Sequence, residues 1–297
     1  MALQFRRGRT ALPEQLYIKF LLFGHSGAGK TWLASSASRP IVLLTERNGE
    51  QSVRLSNPDA PYAVVSSIED VREFLRAAQA GALGTPEDPV ETIVIDGLTE
   101  IQRLFKDEMI AERGDGEFTI AMWGELTEKM RRLLRLLRDL PYHVVCTALA
   151  ETEMEGEVRH IFPAFQGRKL FDEVMQYFNA VGYVFKKPGE SAESAQQHLA
   201  MFDGPSRYAV KNSHPLRGTR SGPVASWIAE MTKAPEAKPE TAKAESETVK
   251  AEPETAKADA KADAKADTGK PARRLRRKGG AAESDPTSDA GAHDPAA

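Results

Sequence analysis

Eight consecutive residues, Gly24-His25-Ser26-Gly27-Ala28-Gly29-Lys30-Thr31, match the pattern G-x-x-x-x-G-K-[ST] at every fixed position. The chemistry of phosphate binding explains the spacing. Glycines let the backbone wrap until successive N–H groups point inward, which makes a cradle for an anion. Within that cradle Lys30 is expected to reach the β- and γ-phosphates of a nucleoside triphosphate, and Thr31 to offer a hydroxyl to Mg2+. ATP and Mg2+ are therefore the expected ligands. His25 occupies a free position of the pattern, and its side chain is given no role.

A site of this kind needs a carboxylate to orient the metal and its water. Glu91-Thr92-Ile93-Val94-Ile95-Asp96 is an apolar run that ends in one, and ligands of open α/β sheets bind at the carboxyl ends of strands. Asp96 is thus expected to meet the glycine-rich loop there, on a neighbouring strand. Hydrolysis also requires a residue that orients or deprotonates the attacking water. Glu46 follows the apolar run Ile41–Thr45 and is the candidate base, with Glu50, four residues on and expected in a loop, as the alternative. Thr147 ends another apolar run and can bond a γ-phosphate or its water; an ordinary strand-end threonine is the plainer reading.

These residues need a scaffold that brings several strand ends together. Leu16–Phe23, Ile41–Thr45, Tyr62–Val65, Thr92–Ile95 and His143–Thr147 read as strands, with shorter ones at 180–186, 197–202 and 207–211. Helices are expected at Thr31–Ser38, after Ser67, following the strand Thr92–Ile95 through about Met109, over 122–140 and near Trp227 and Met231. Ser67 and Asp70 form a capping-box pattern, and Trp123, Leu126, Met130, Leu133, Leu134 and Leu137 recur at helical spacing. Arg131, Arg132, Arg135 and Arg138 then make that helix's solvated face. Alternating strands and helices predict an α/β fold, a mostly parallel sheet with helices on both faces. The stretches 110–121 and 151–169 read as long loops.

Composition limits how much of the chain can fold. Of 297 residues, 41% are hydrophobic and 28% charged, with a net charge of −3. Residues 234–297 contain no aromatic side chain and only Val249 and Leu275 as large aliphatics, against 12 basic and 13 acidic residues. Such a segment cannot bury enough apolar surface to offset its ordering entropy. The expected organisation is a basic arm over 1–14, one domain over 15–233, and a disordered, low-complexity tail over 234–297. The tail's one charge block is Arg273–Lys278, a solvated interaction segment or a nucleic-acid contact. A single cysteine, Cys146, excludes a disulfide within the chain and reads as a buried strand thiol. No apolar run reaches 18 residues and Met1–Arg7 holds no signal-like segment, so a cytoplasmic location without membrane contact is expected.

The combination of Gly24–Thr31, Thr45-Glu46, Asp96-Gly97-Leu98-Thr99 and Thr147 resembles the RecA-like ATPases. It is more closely similar to the compact phage AAA-family ATP-binding proteins that include RecA-related single-strand annealing proteins of the Sak type. The resemblance covers about residues 16–225. It implies ATP hydrolysis in phage-type recombination or replication, with single-stranded DNA as partner, self-association, and contact with a single-strand-binding protein or another recombination partner. It also implies DNA-binding loops at 110–121 and 151–169. The latter carries Arg159, His160, Phe162, Phe165, Arg168 and Lys169, basic and aromatic side chains that suit a single strand, although both phenylalanines also fit buried loop anchors. Val210-Lys211-Asn212 matches a late element whose lysine reaches the nucleotide of an adjacent subunit, with Ser213 where many relatives carry a basic side chain. Two other functions fit the phosphate motif: a P-loop kinase for a small molecule, and a nonenzymatic assembly switch driven by ATP.

Overall fold

The computed structural model describes residues 16–114, 118–167, 170, 173–187, 197–212 and 216–233. All of them belong to the first of the chain's two units, Met1–Lys238. The arm 1–14, Arg168, Lys169, Ser213 and the segment 234–297 with its Arg273–Lys278 block lie outside the described residues.

The sheet is built on β1 (Lys19–Gly24), a strand buried along its whole length. Its side chains alternate between two apolar layers, as period-two geometry requires. Leu21 and Phe23 enter one core with Leu43, Ile93, Ile95 and Cys146. Phe20 and Leu22 enter the other with Val42, Leu44 and Val94. A strand apolar on both sides must be covered on both sides. The first layer is closed by α3 (Ile68–Gln79), α4 (Leu98–Arg113) and α5 (Ile120–Asp139). The second is closed by α1 (Lys30–Ser35), α2 (Gly49–Ser56) and α6 (Val224–Thr232). The protein is an α/β fold with helices on both faces of a mostly parallel sheet.

The remaining strands are β2 (Pro40–Leu44), β3 (Tyr62–Val64), β4 (Thr92–Asp96), β5 (His143–Glu155), β6 (Val158–Pro163), β7 (Ala180–Lys187), β8 (Gln197–Met201), β9 (Lys211–Asn212) and β10 (Thr219–Arg220). Their order is β10-β8-β7-β1-β5-β4-β2-β3, with β6 on β5 and β9 on β7. From β7 to β3 every pairing is parallel. The strand carrying Asp96 is therefore not the neighbour of the phosphate-loop strand, because β5 lies between them.

Local signals explain several boundaries. Ser67 accepts from the Asp70 N–H and Asp70 accepts from the Ser67 N–H, so α3 starts on a reciprocal cap. The buried stripe of α5 holds Leu126, Met130, Leu133, Leu134 and Leu137. On its other face Arg131 pairs with Glu173 at 2.6 Å and Arg138 with Asp139 at 2.7 Å.

Four expectations need correction. Much of 151–169 is not a loop: β5 runs on past the sheet and pairs with β6, turning at Gly156 with φ +62. Its Glu/Thr/Glu/Met alternation is too polar to signal a strand by hydrophobicity. The stretch 110–121 is not a loop throughout: α4 runs on to Arg113 and α5 begins at Ile120. Glu50 lies in α2 and not in a loop; that helix buries only Val53 among its apolar residues, leaving no stripe to read. The strand expected over 207–211 is reduced to Lys211–Asn212, with Tyr208 in one bridge to Ile161.

Candidate nucleotide site

The phosphate loop leaves the top of β1 at Gly24 and enters α1 at Lys30. Two of its glycines are required by space. A Cβ on Gly24 would lie 2.5 Å from the Val184 carbonyl oxygen of β7. Gly29 has φ +94, and a Cβ there would lie 2.0 Å from Nδ1 of His198. Left-handed backbone in close contact with a neighbour leaves glycine as the only unstrained choice.

Register brings the polar side chains to one edge. Leu44 on β2 pairs with Asp96, and Leu22 on β1 pairs with Thr147 on β5, which sits between β1 and β4. At that edge Thr31 Oγ1 donates to Asp96 Oδ2 at 2.8 Å. Thr147 Oγ1 donates to the other oxygen, Oδ1. Thr45 secures the backbone beneath: its N–H and its hydroxyl donate to the Asp96 carbonyl at 2.7 and 3.0 Å, and Gly97 N–H donates to Thr45 Oγ1 at 3.0 Å. The Asp96 carboxylate is thus held at both oxygens and at its own peptide.

A cleft of about 460 Å³ opens above this cluster, within the size range of small-ligand sites. Lys30, Thr31, Glu46, Asp96 and Thr147 line it. Lys30 Nζ donates to the His25 carbonyl at 3.0 Å. Burial holds the Lys30 amine below its ordinary pKa, while Asp96 and Glu46 pull it back up. Glu46 is exposed at the cleft. Glu50 is directed elsewhere, where it accepts from Tyr62 Oη at 3.2 Å and lies 3.9 Å from Arg54.

The donors fit a hard divalent cation. A threonine hydroxyl and a carboxylate oxygen 2.8 Å apart stand beside a glycine loop, and Mg2+ takes one or two such protein oxygens and completes its shell with phosphate and water.

Three residues that the sequence singled out lie outside the lining of this cleft. Lys211 on β9 pairs with Val181 of β7, itself level with Leu21 and so below Gly24. Its Nζ donates to the carbonyls of Met175 at 3.0 Å and Phe178 at 2.8 Å. Phe165 is 7% exposed and belongs to the core, so it is an anchor and not a stacking surface. Cys146 is fully buried, and burial pushes its thiol well above the ordinary value, which makes it no nucleophile.

Other lining residues had no sequence signal. Trp32 follows the motif directly and Glu100 lies in the first turn of α4. Lys186 and His198 are cross-strand partners on β7 and β8, and only the register of those strands with β1 brings them beside the loop. His198 Nδ1 lies 3.1 Å from the Ala28 carbonyl, tying β8 to the phosphate loop.

Among the described residues no helix is long and apolar enough to cross a membrane. No curated protein matches the sequence. A family model described as "AAA domain" matches residues 16–214, about two thirds of the chain, including every residue of the cleft cluster. The chain belongs to this AAA-domain family of P-loop ATPases.

Proposed function

We propose that the chain is a Mg2+-dependent ATPase. The observation that carries this reading is the Asp96 carboxylate, hydrogen-bonded by Thr31 on one oxygen and Thr147 on the other at the foot of the cleft. The loop N–H groups and Lys30 bind the β- and γ-phosphates and balance their charge. Thr31 and Asp96 would hold Mg2+, which supplies charge neutralisation between the phosphates when bound. Glu46, exposed in the same cleft, orients the attacking water and accepts its proton. Lys30→Ala tests the reading: nucleotide binding and turnover should both be lost with the fold intact. Wild-type turnover in that variant would overturn it.

We propose further that turnover serves work on single-stranded DNA in phage-type recombination or replication, by self-associating subunits. The resemblance supports this through the region now seen as the β5–β6 hairpin. The hairpin limits how it would act. Glu151, Glu153 and Glu155 share one face with their partners Phe162, His160 and Val158, and that face repels phosphate. Arg159 and Met154 pair on the opposite face, both exposed, so contact belongs there. Phosphate release with and without single-stranded DNA decides it: stimulation lost in Arg159→Ala supports the reading, and equal rates in both conditions sink it.

A further inference from the structure

We propose that Trp32 and His198 form a stacking platform for the base of the bound nucleotide, so that the site takes a nucleoside triphosphate in preference to a bare polyphosphate. The inference rests on the nucleotide-binding reading above and adds a base subsite to it. Both rings line the cleft that holds the phosphate loop. Their centroids are 5.0 Å apart with the planes 37° from parallel, and both are half-buried, so part of each ring meets solvent. The pair is braced, because Trp32 is fixed in α1 immediately after Thr31 and His198 is tied to the Ala28 carbonyl. The core of that layer takes Leu33 and Ala34 fully from the same helix, with Trp32 only packed against its margin. Leu55 of α2 lines the same cleft and is 71% exposed, an apolar wall with nothing described over it.

A polar phosphate site has no use for an indole, an imidazole ring and an exposed leucine. A nucleobase does: its π face stacks on aromatic rings, and its edge covers apolar surface that otherwise meets water. Stacking of a base on an aromatic side chain contributes about 1–3 kcal/mol, or roughly a 5- to 150-fold effect on affinity.

The test is calorimetric titration of the full chain with ATP and with inorganic tripolyphosphate, both in Mg2+, for wild type, Trp32→Ala and Trp32→Phe. Wild type should bind ATP more tightly than tripolyphosphate. Trp32→Ala should weaken ATP by about 10-fold and leave tripolyphosphate unchanged, and Trp32→Phe should retain most of the ATP affinity. ATP, and not tripolyphosphate, should also quench tryptophan fluorescence in wild type, and the quench should vanish in Trp32→Phe while Trp123 and Trp227 remain. This readout holds even where Trp32→Ala fails to fold. Equal ATP affinity in wild type and Trp32→Ala overturns the platform alone, as does equal weakening of both ligands or a quench that survives in Trp32→Phe. Failure of wild type to bind either ligand overturns the nucleotide reading and the platform with it.

Discussion

Asp96 and Thr147 stand on adjacent parallel strands, and the threonine hydroxyl donates directly to the carboxylate. Thr147 is 1% exposed, so the donor end of this bond is shielded from water. The strand order makes it possible. With β5 inserted between the strand of the phosphate loop and the strand of Asp96, the β5 residue level with Leu22 is within reach of both. Thr147 is a positioning residue that fixes the rotamer of Asp96 and leaves the other oxygen turned to Thr31.

Thr147→Val keeps the shape and removes the donor. One carboxylate oxygen then loses its partner, and groups that orient metal ligands typically contribute 10- to 100-fold to affinity or activity. The expected result is a rise of at least about 10-fold in the Mg2+ concentration that half-saturates turnover, with Thr147→Ser restoring it. An unchanged Mg2+ dependence in the valine variant would remove Thr147 from the site.

The two candidate bases differ in their surroundings. Glu46 lines the cleft, whereas Glu50 is engaged by Tyr62 and Arg54 outside it. Glu46→Gln should bind ATP with near wild-type affinity and turn over roughly 10²-fold more slowly or worse. Glu50→Gln should hydrolyse normally. Glu100 also lines the cleft, 2.9 Å from Arg103, so slow turnover in Glu100→Gln with normal rates in Glu46→Gln would reassign the base.

Lys19 supplies a pH signature. The residue is 4% exposed, and its amine donates to the carbonyls of Leu140, at 2.8 Å, and Tyr142. Burial lowers its pKa to about 8, with Cys146 and Asp139 opposing the shift. Below pH 8 both folded and unfolded chains carry the proton, and the cost of burying the charge is fully present. From about pH 8 to 10.5 the folded amine is neutral while the unfolded one is still charged, so stability from this group rises with pH. The rise is about 3 kcal/mol. Denaturant unfolding at pH 7.5, 9 and 10.5 should show wild type gaining on Lys19→Met; a gap that does not move with pH would refute the assignment.

Lys211 ties β9 to the carbonyls that precede β7. Losing both bonds at a half-buried site should lower stability by about 1 kcal/mol. Lys211→Ala should therefore melt lower and retain ATP turnover per folded molecule. A role on a neighbouring subunit's nucleotide would require both bonds to open. Mixing Lys211→Ala with Lys30→Ala subunits tests that role: regained turnover would show it, and none is expected from an anchor.

Gly24–Thr31 was legible from sequence because a phosphate cradle is a local object: eight contiguous residues carry the glycines, the cation and the hydroxyl. The strand end at Asp96 and the carboxylate just past β2 at Glu46 were also legible, since buried parallel strands are short apolar runs and a polar residue after one marks the sheet edge. Thr147 stood out in the same way, although β5 runs on beyond it to Glu155. What pairs with what was not. Hydrogen bonding between strands is set by the whole sheet, so only the tertiary structure put β5 between β1 and β4 and joined Thr147 to Asp96. It also turned 151–163 from a loop into a hairpin, because a polar ribbon beyond the core leaves no hydrophobic alternation to read. The same applies to Lys211, whose two carbonyl partners lie more than thirty residues away in the chain. Lys186 and His198 reach the phosphate loop from strands about 160 residues or more beyond it, placed by register and not by any pattern of their own.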